Sequence, residues 1–199
     1  MSRLNLPNLL TLSRLVMAPV LAATVMAETL TGDIASLVLL LIAGITDLLD
    51  GYLARKYGQA TDFEKVVDPL ADSFLFLALF YGFVATGWMP LWVYLIFLGR
   101  EGFMHLFLRP YFLLRGVALG AKWTGKVKAA LQNAVGYAVL LAMAATRLWP
   151  EWPEPTRRGL RDAAGWALLA VAALSLASLW PYVAELWRRE PPRNTESGG

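Results

Sequence analysis

Five carboxylates between Asp47 and Asp72 are spaced so that they could do chemistry together: Asp47, Asp50, Glu64, Asp68 and Asp72. They lie in D-L-L-D-G-Y-L-A-R-K-Y-G-Q-A-T-D-F-E-K-V-V-D-P-L-A-D, where two very apolar segments join. Charge is expensive at membrane depth, so acids there point to function rather than to packing. On a helix, Asp47, Asp50 and Ala54 fall at i, i+3 and i+7 and share one face. Asp68 and Asp72 fall at i and i+4 on the next helix, and Glu64 extends that stripe by one turn. Two facing helices that each offer two carboxylates form an oxygen-rich cage suited to a hard divalent cation, Mg²⁺ or Mn²⁺.

The elements that must hold this cage are membrane helices. Of the 199 residues, 57% are hydrophobic, too many for a soluble domain of this size to cover with polar surface. Apolar stretches at about 15–27, 34–55, 67–86, 89–109, 129–148 and 163–186 each approach the ~20 residues needed to cross the hydrocarbon. Helix is the expected form, because a lone strand cannot satisfy its backbone in lipid. The expected fold is thus all-α, with six transmembrane helices spread over residues 1–188. A short amphipathic surface helix within residues 1–14 precedes them, and a polar, disordered tail follows at 189–199. The competing reading of the first span is a secretory leader, with Val25-Met26-Ala27 resembling a cleavage site. There is no cysteine, so thiol chemistry is excluded, and the single histidine, His105, argues against a histidine-rich zinc site.

Basic residues set the orientation. With the N-terminus in the cytoplasm, 14 of the 18 lysines and arginines fall on the cytoplasmic side. Arg147, Arg157, Arg158 and Arg161 are the other four. Both termini and the acidic stretch are expected to face the cytoplasm. Trp88, Trp92, Trp149 and Trp152 fall near the outer ends, as an interfacial belt would, and Pro150 to Asp162 reads as a charged outer loop.

The pattern D-x2-D-G-x2-A-R followed by D-x3-D resembles the signature of CDP-alcohol phosphotransferases. It is met at Asp47, Asp50, Gly51, Ala54, Arg55, Asp68 and Asp72. The flanking stretches N-L-P-N-L-L-T-L-S-R-L, G-R-E at Gly99–Glu101 and G-K-V-K-A-A-L-Q at Gly125–Gln132 are similar to those of the bacterial branch that makes phosphatidylglycerol phosphate. The resemblance implies a six-helix enzyme of the inner membrane, working as a homodimer. It would transfer a phosphatidyl group from CDP-diacylglycerol to glycerol 3-phosphate and release CMP. It implies two divalent ions on Asp47, Asp50 and Asp68, bordered by Asp72, which is also the general base. Nucleotide contacts would come from Asp47, Asp50, Gly51, Ala54, Arg55, Thr61 and Glu64. One position departs: the family carries glycine where this chain has Glu64. Two roles are open to a glutamate there, ligating a metal or crowding the nucleotide, and the repulsion of an anion beside a diphosphate favours crowding.

A phosphorylated acceptor needs cations beside Asp72. Arg100, Arg109, Lys126 and Lys128 are the candidates, while Arg115 and Lys122 read as loop charge. Arg100 has an equally good structural role as partner of a bundle carboxylate. His105 reads as a hydrogen-bonded core residue, Gly44, Gly82 and Gly136 as sites of close helix packing, and Asp62 as a cap. Partners are membrane lipids and the two substrates, with no nucleic acid. Within the family the rival acceptors are phosphatidylglycerol and inositol phosphate. From another class, a cation or proton transporter would also carry bundle acids, but it has no need of the Gly51, Ala54 and Arg55 set.

Overall fold

A computed structural model describes residues 6–57, 62–115 and 123–188, with side chains for 12–46, 49, 69–112, 114–115, 123 and 125–186. Among these, helix is the only regular structure: α1 Leu6–Met26, α2 Leu30–Tyr57, α3 Asp62–Ala85, α4 Leu91–Phe103, a π-helical turn Met104–Leu108, α5 Arg109–Leu114, α6 Trp123–Leu148, α7 Glu154–Ala177 and α8 Trp180–Arg188. The tail at 189–199 lies outside the described residues. Three stretches are long and apolar enough to cross a membrane: Leu91–Phe112, Gly125–Leu148 and Glu154–Leu186. Within the longer helices α1, α2 and α3, the residues whose side chains are described form the apolar stretches Leu12–Met26, Leu30–Thr46 and Pro69–Ala85. The outside of the bundle is apolar, with Val16, Val38, Leu95, Leu106, Phe107 and Leu141 exposed, as a surface solvated by lipid requires.

α1 packs against α2 and α3, α6 against α2 and α7, and α4 against α3 and α7. The seam is filled by Leu21, Leu79, Phe80, Phe83, Phe97, Leu140 and Leu168, all fully buried. Phe80 and Phe97 pack tilted with ring centroids 4.7 Å apart, a favourable aromatic geometry. A smaller cluster of Met104, Leu108, Phe112 and Tyr182 seats α8 against the π turn and α5.

Four expectations are corrected. The surface helix is not a separate element, because α1 runs unbroken from Leu6 to Met26. Nothing between Ser13 and Leu15 stops a helix, and membrane helices tolerate a proline such as Pro19. Leu21 and Val25 of α1 are fully buried in the core, which a cleaved leader would not supply. The loop expected at Pro150 to Asp162 is shorter, since α7 already begins at Glu154 behind Pro153. Proline suits a first helical turn, and Glu154 pairs with Arg158 one turn on, Oε1 to Nε 3.0 Å. The last span is interrupted: Ser178 caps α7, its hydroxyl donating to the Ser175 carbonyl at 2.6 Å, and α8 restarts at Trp180. Trp88 is not a belt residue, being only 4% exposed. Gly87 adopts φ +73°, a left-handed turn that suits glycine. Beyond it, the backbone N–H groups of Trp88 and Met89 both donate to the Phe83 carbonyl.

Gly82 and Gly136 do allow close packing. A Cβ on Gly82 would lie 2.8 Å from Val25 Cγ1, and one on Gly136 would lie 3.2 Å from Leu79 Cδ2. Gly44 has only the Tyr137 hydroxyl, 4.0 Å away, in that direction. Because Val25 is a stiff β-branched residue at the α1–α3 seam, Gly82→Ala should force the helices apart. The expected loss is about 1–3 kcal/mol, read as a lower thermal midpoint in detergent. Gly165→Ala, with open space around its Cβ, should leave the midpoint unchanged.

Candidate active site

Five of the bundle's elements put charge into one cavity of about 420 Å³. α1 supplies Arg14, and α3 supplies Asp72 and Ser73. α4 and its π turn bring Arg100, Glu101 and His105, α5 brings Arg109, and α6 brings Lys126, Lys128 and Gln132. Tyr182 of α8 closes one side.

Local helix geometry explains the grouping. Glu101, His105 and Arg109 are four residues apart. In a regular α-helix each four-residue step overshoots a full turn by ~40°, which would rotate Arg109 away from the face holding Glu101. The wider π turn at Met104–Leu108 takes up that drift. On α6, Lys128 and Gln132 are i and i+4 and share a face.

Glu101 is the centre of the described polar network. It is 3% exposed. Its Oε1 accepts from Arg100 Nη1 at 2.9 Å and from Lys128 Nζ. Its Oε2 accepts from Ser73 Oγ at 2.7 Å and lies 3.6 Å from His105 Nε2. Ser73 has a single hydroxyl proton and directs it at Glu101, so the 2.9 Å contact between Ser73 Oγ and His105 Nε2 has the imidazole as donor. Arg100 reaches on to Ser178 Oγ at 3.1 Å. Beside this network, buried Arg14 donates from Nη1 to Asp72 Oδ1. The Asp72 side chain keeps 40% of its surface open. Five cationic side chains line the cavity, Arg14, Arg100, Arg109, Lys126 and Lys128, against the carboxylates of Asp72 and Glu101. Among the described side chains the cavity therefore carries a surplus of positive charge suited to a phosphorylated ligand.

Of the residues singled out from sequence, Asp72, Arg100, Arg109, Lys126 and Lys128 meet around this cavity. Asp47, Asp50, Gly51, Ala54 and Arg55 lie on α2, and Glu64 and Asp68 on α3, but their side chains are outside the described residues, as is all of Thr61. Arg115 stands apart, its guanidinium 4.6 Å from the centre of the Tyr111 ring. His105 is hydrogen-bonded, as expected, but it lines the cavity rather than the core. Sequence reasoning gave Arg14 only a topological role and passed over Ser73, Gln132 and Tyr182. Two signals were present: Arg14 interrupts an apolar run, and Gln132 is one turn from Lys128.

The CDP-alcohol phosphatidyltransferase family model matches residues 4–181. A Bacillus subtilis protein named CDP-diacylglycerol–glycerol-3-phosphate 3-phosphatidyltransferase is 30% identical over 195 residues, which is 92% of this chain and 95% of the relative. A Treponema pallidum protein of the same name is 38% identical over 155 residues, covering 76% and 69%. A Mycobacterium tuberculosis protein named "Probable phosphatidylglycerophosphate synthase" is 39% identical over 140 residues, covering 68% of this chain and 66% of the relative. With the family model spanning nearly the whole bundle and the cavity's cations and Asp72 inside the matched region, the chain belongs to the CDP-alcohol phosphatidyltransferase family.

Proposed function

We propose that the protein is a membrane phosphatidyltransferase that moves the phosphatidyl group of CDP-diacylglycerol to glycerol 3-phosphate, giving phosphatidylglycerol phosphate and CMP. The observation that carries this reading is the half-open Asp72 carboxylate at a cavity with surplus positive charge. The names of the Bacillus and Treponema relatives support the choice of acceptor.

Asp72 accepts the proton of the acceptor's hydroxyl as that oxygen attacks the β-phosphorus. The bond from the β-phosphorus to the bridging oxygen breaks, and CMP leaves with that oxygen and its electron pair. Arg109, Lys126 and Lys128 hold the acceptor's phosphate by charge-assisted hydrogen bonds. Arg100, tied to Glu101 and Ser178, holds the pocket's shape. Gly51, Ala54, Arg55 and Thr61 are assigned to the nucleotide, with Glu64 crowding it.

Divalent metal fits the donor set by its chemistry. Asp47, Asp50 and Asp68 offer only hard oxygen donors, and Asp68 is one helical turn before Asp72. Among the described side chains no three acidic or histidine groups converge, so the metal assignment rests on those aspartates. When bound, Mg²⁺ or Mn²⁺ neutralises the diphosphate and stabilises the attacking and leaving oxygens.

The chain crosses the inner membrane six times, with the cavity and both termini cytoplasmic. In support, the cationic cavity end holds most of the basic residues, and the positive-inside rule puts such an end in the cytoplasm. The absence of native cysteine makes this testable. Thr156→Cys in intact cells should react with a membrane-impermeant maleimide, and Ser2→Cys only after permeabilisation. The reverse pattern refutes the orientation.

Turnover should stop in excess chelator and return with Mg²⁺ or Mn²⁺. Asp72→Asn should lose at least about 100-fold in kcat, the scale of general-base catalysis, while still binding CDP-diacylglycerol. Near-normal kcat in Asp72→Asn would remove it as the base. Arg109→Ala and Lys126→Ala should raise KM for glycerol 3-phosphate far more than KM for the lipid donor. Equal changes for both substrates would count against an acceptor site there.

A further inference from the structure

α6 lays one stripe along the inside of the bundle: Gly125, Lys128, Gln132, Gly136, Leu140 and Met143 follow at intervals of three or four. From Gly136 onward the stripe is core, and Leu140 and Met143 are fully buried. Gln132 sits where the stripe passes from cavity to core. It is 2% exposed, yet it lines the cavity. Its side-chain amide makes no hydrogen bond to any described residue.

A primary amide brings two donors and an acceptor, and buried groups of this kind are nearly always partnered. In a membrane helix the ordinary partner is a polar group on a neighbouring helix. Gln132 has none among the described residues, although Arg100, Glu101, His105 and Lys128 around the same cavity are all bonded to one another or to a serine. Because Gln132 lines the cavity, a ligand bound there can meet its amide. That ligand must offer a neutral polar group. It must also lie within reach of a cation, because Lys128 is one turn away, about 5–6 Å between Cβ atoms. This separation is comparable to the span from phosphate to central hydroxyl in a three-carbon polyol phosphate.

We propose that Gln132 determines acceptor specificity by hydrogen-bonding the non-reacting hydroxyl of a polyol phosphate whose phosphate lies toward Lys126 and Lys128. This rests on the transferase reading above. The attacking terminal hydroxyl goes to Asp72 across the cavity, and the adjacent central hydroxyl goes to the amide. A buried polar group built to meet a substrate hydroxyl discriminates strongly against an analogue that lacks it. An apolar residue at position 132 would read only the phosphate.

The test compares glycerol 3-phosphate with 3-hydroxypropyl phosphate, which has the same chain and phosphate but no central hydroxyl. CMP release is measured in purified wild type, Gln132→Met and Gln132→Asn. Wild type should prefer glycerol 3-phosphate by tenfold or more in kcat/KM. Gln132→Met, of similar volume but without the amide, should lose that preference. A thermal transition in detergent close to that of wild type reports that it folds. If Gln132→Met yields no folded protein, Gln132→Asn, with its amide withdrawn by one methylene, should show a reduced preference. A wild type that does not prefer glycerol 3-phosphate overturns the proposal. So do variants that keep the preference or that lose both acceptors equally while folded. In these cases wild-type turnover of glycerol 3-phosphate leaves the transferase reading intact. Wild-type inactivity with both acceptors overturns both.

Discussion

A carboxylate withdrawn from water inside an apolar bundle must be matched by charge and hydrogen bonds, and Glu101 is that group here. Its partners come from separate elements: Ser73 of α3, Arg100 of α4, His105 of the π turn and Lys128 of α6. Arg100 extends the network to Ser178, where α7 ends. One carboxylate therefore sets the mutual placement of four helices around the cavity. Breaking a buried pair costs about 3–5 kcal/mol, yet replacing the whole pair by apolar residues is often neutral or stabilising. Stability alone does not account for such a network. What it supplies is placement: the lysine and the arginine are held at fixed points on the cavity wall. Ser73 adjoins Asp72 on α3, so the same network fixes the register of the helix that carries the proposed base.

Much of this arrangement can be read from the sequence. Apolar segment lengths located the longer helices, and i, i+4 spacing put Asp72 on the acidic stripe, whereas Lys128 entered only through the resemblance of the Gly125–Gln132 stretch. The reading failed where local chemistry overrides periodicity. Ser178 and Pro181 divide an apolar run that hydropathy treats as continuous, because hydropathy does not register a hydroxyl satisfying a helix's last carbonyls. That division is what turns Tyr182 toward the cavity. Trp88 looked interfacial by position and composition, but the left-handed turn at Gly87 carries it inward. The π turn leaves no mark in hydropathy at all, though without it Glu101 and Arg109 would not share a wall. Arg14 was counted as topology because a single arginine in an apolar helix carries no periodic signal. Its meaning lies in Asp72, 58 residues away in sequence.

The two ends of the bundle show why charge balance separates a site from a staple. At the end away from the cavity, Arg147 donates from Nε to Asp33 Oδ2 at 2.7 Å and also reaches the Glu28 carbonyl and carboxylate. This cluster ties the α1–α2 turn to the end of α6. Its acids match or exceed its single cation, and it adds no surplus field for a ligand. Among the described side chains lining the cavity the cations outnumber the carboxylates, and burial makes that excess felt by any anion entering. Between the two ends lie Leu21, Leu79, Phe80, Phe83, Phe97 and Leu140, each fully buried and none polar. The charged groups around Asp72 and Glu101 form a pocket, which suits a reaction on a ligand that enters and leaves it.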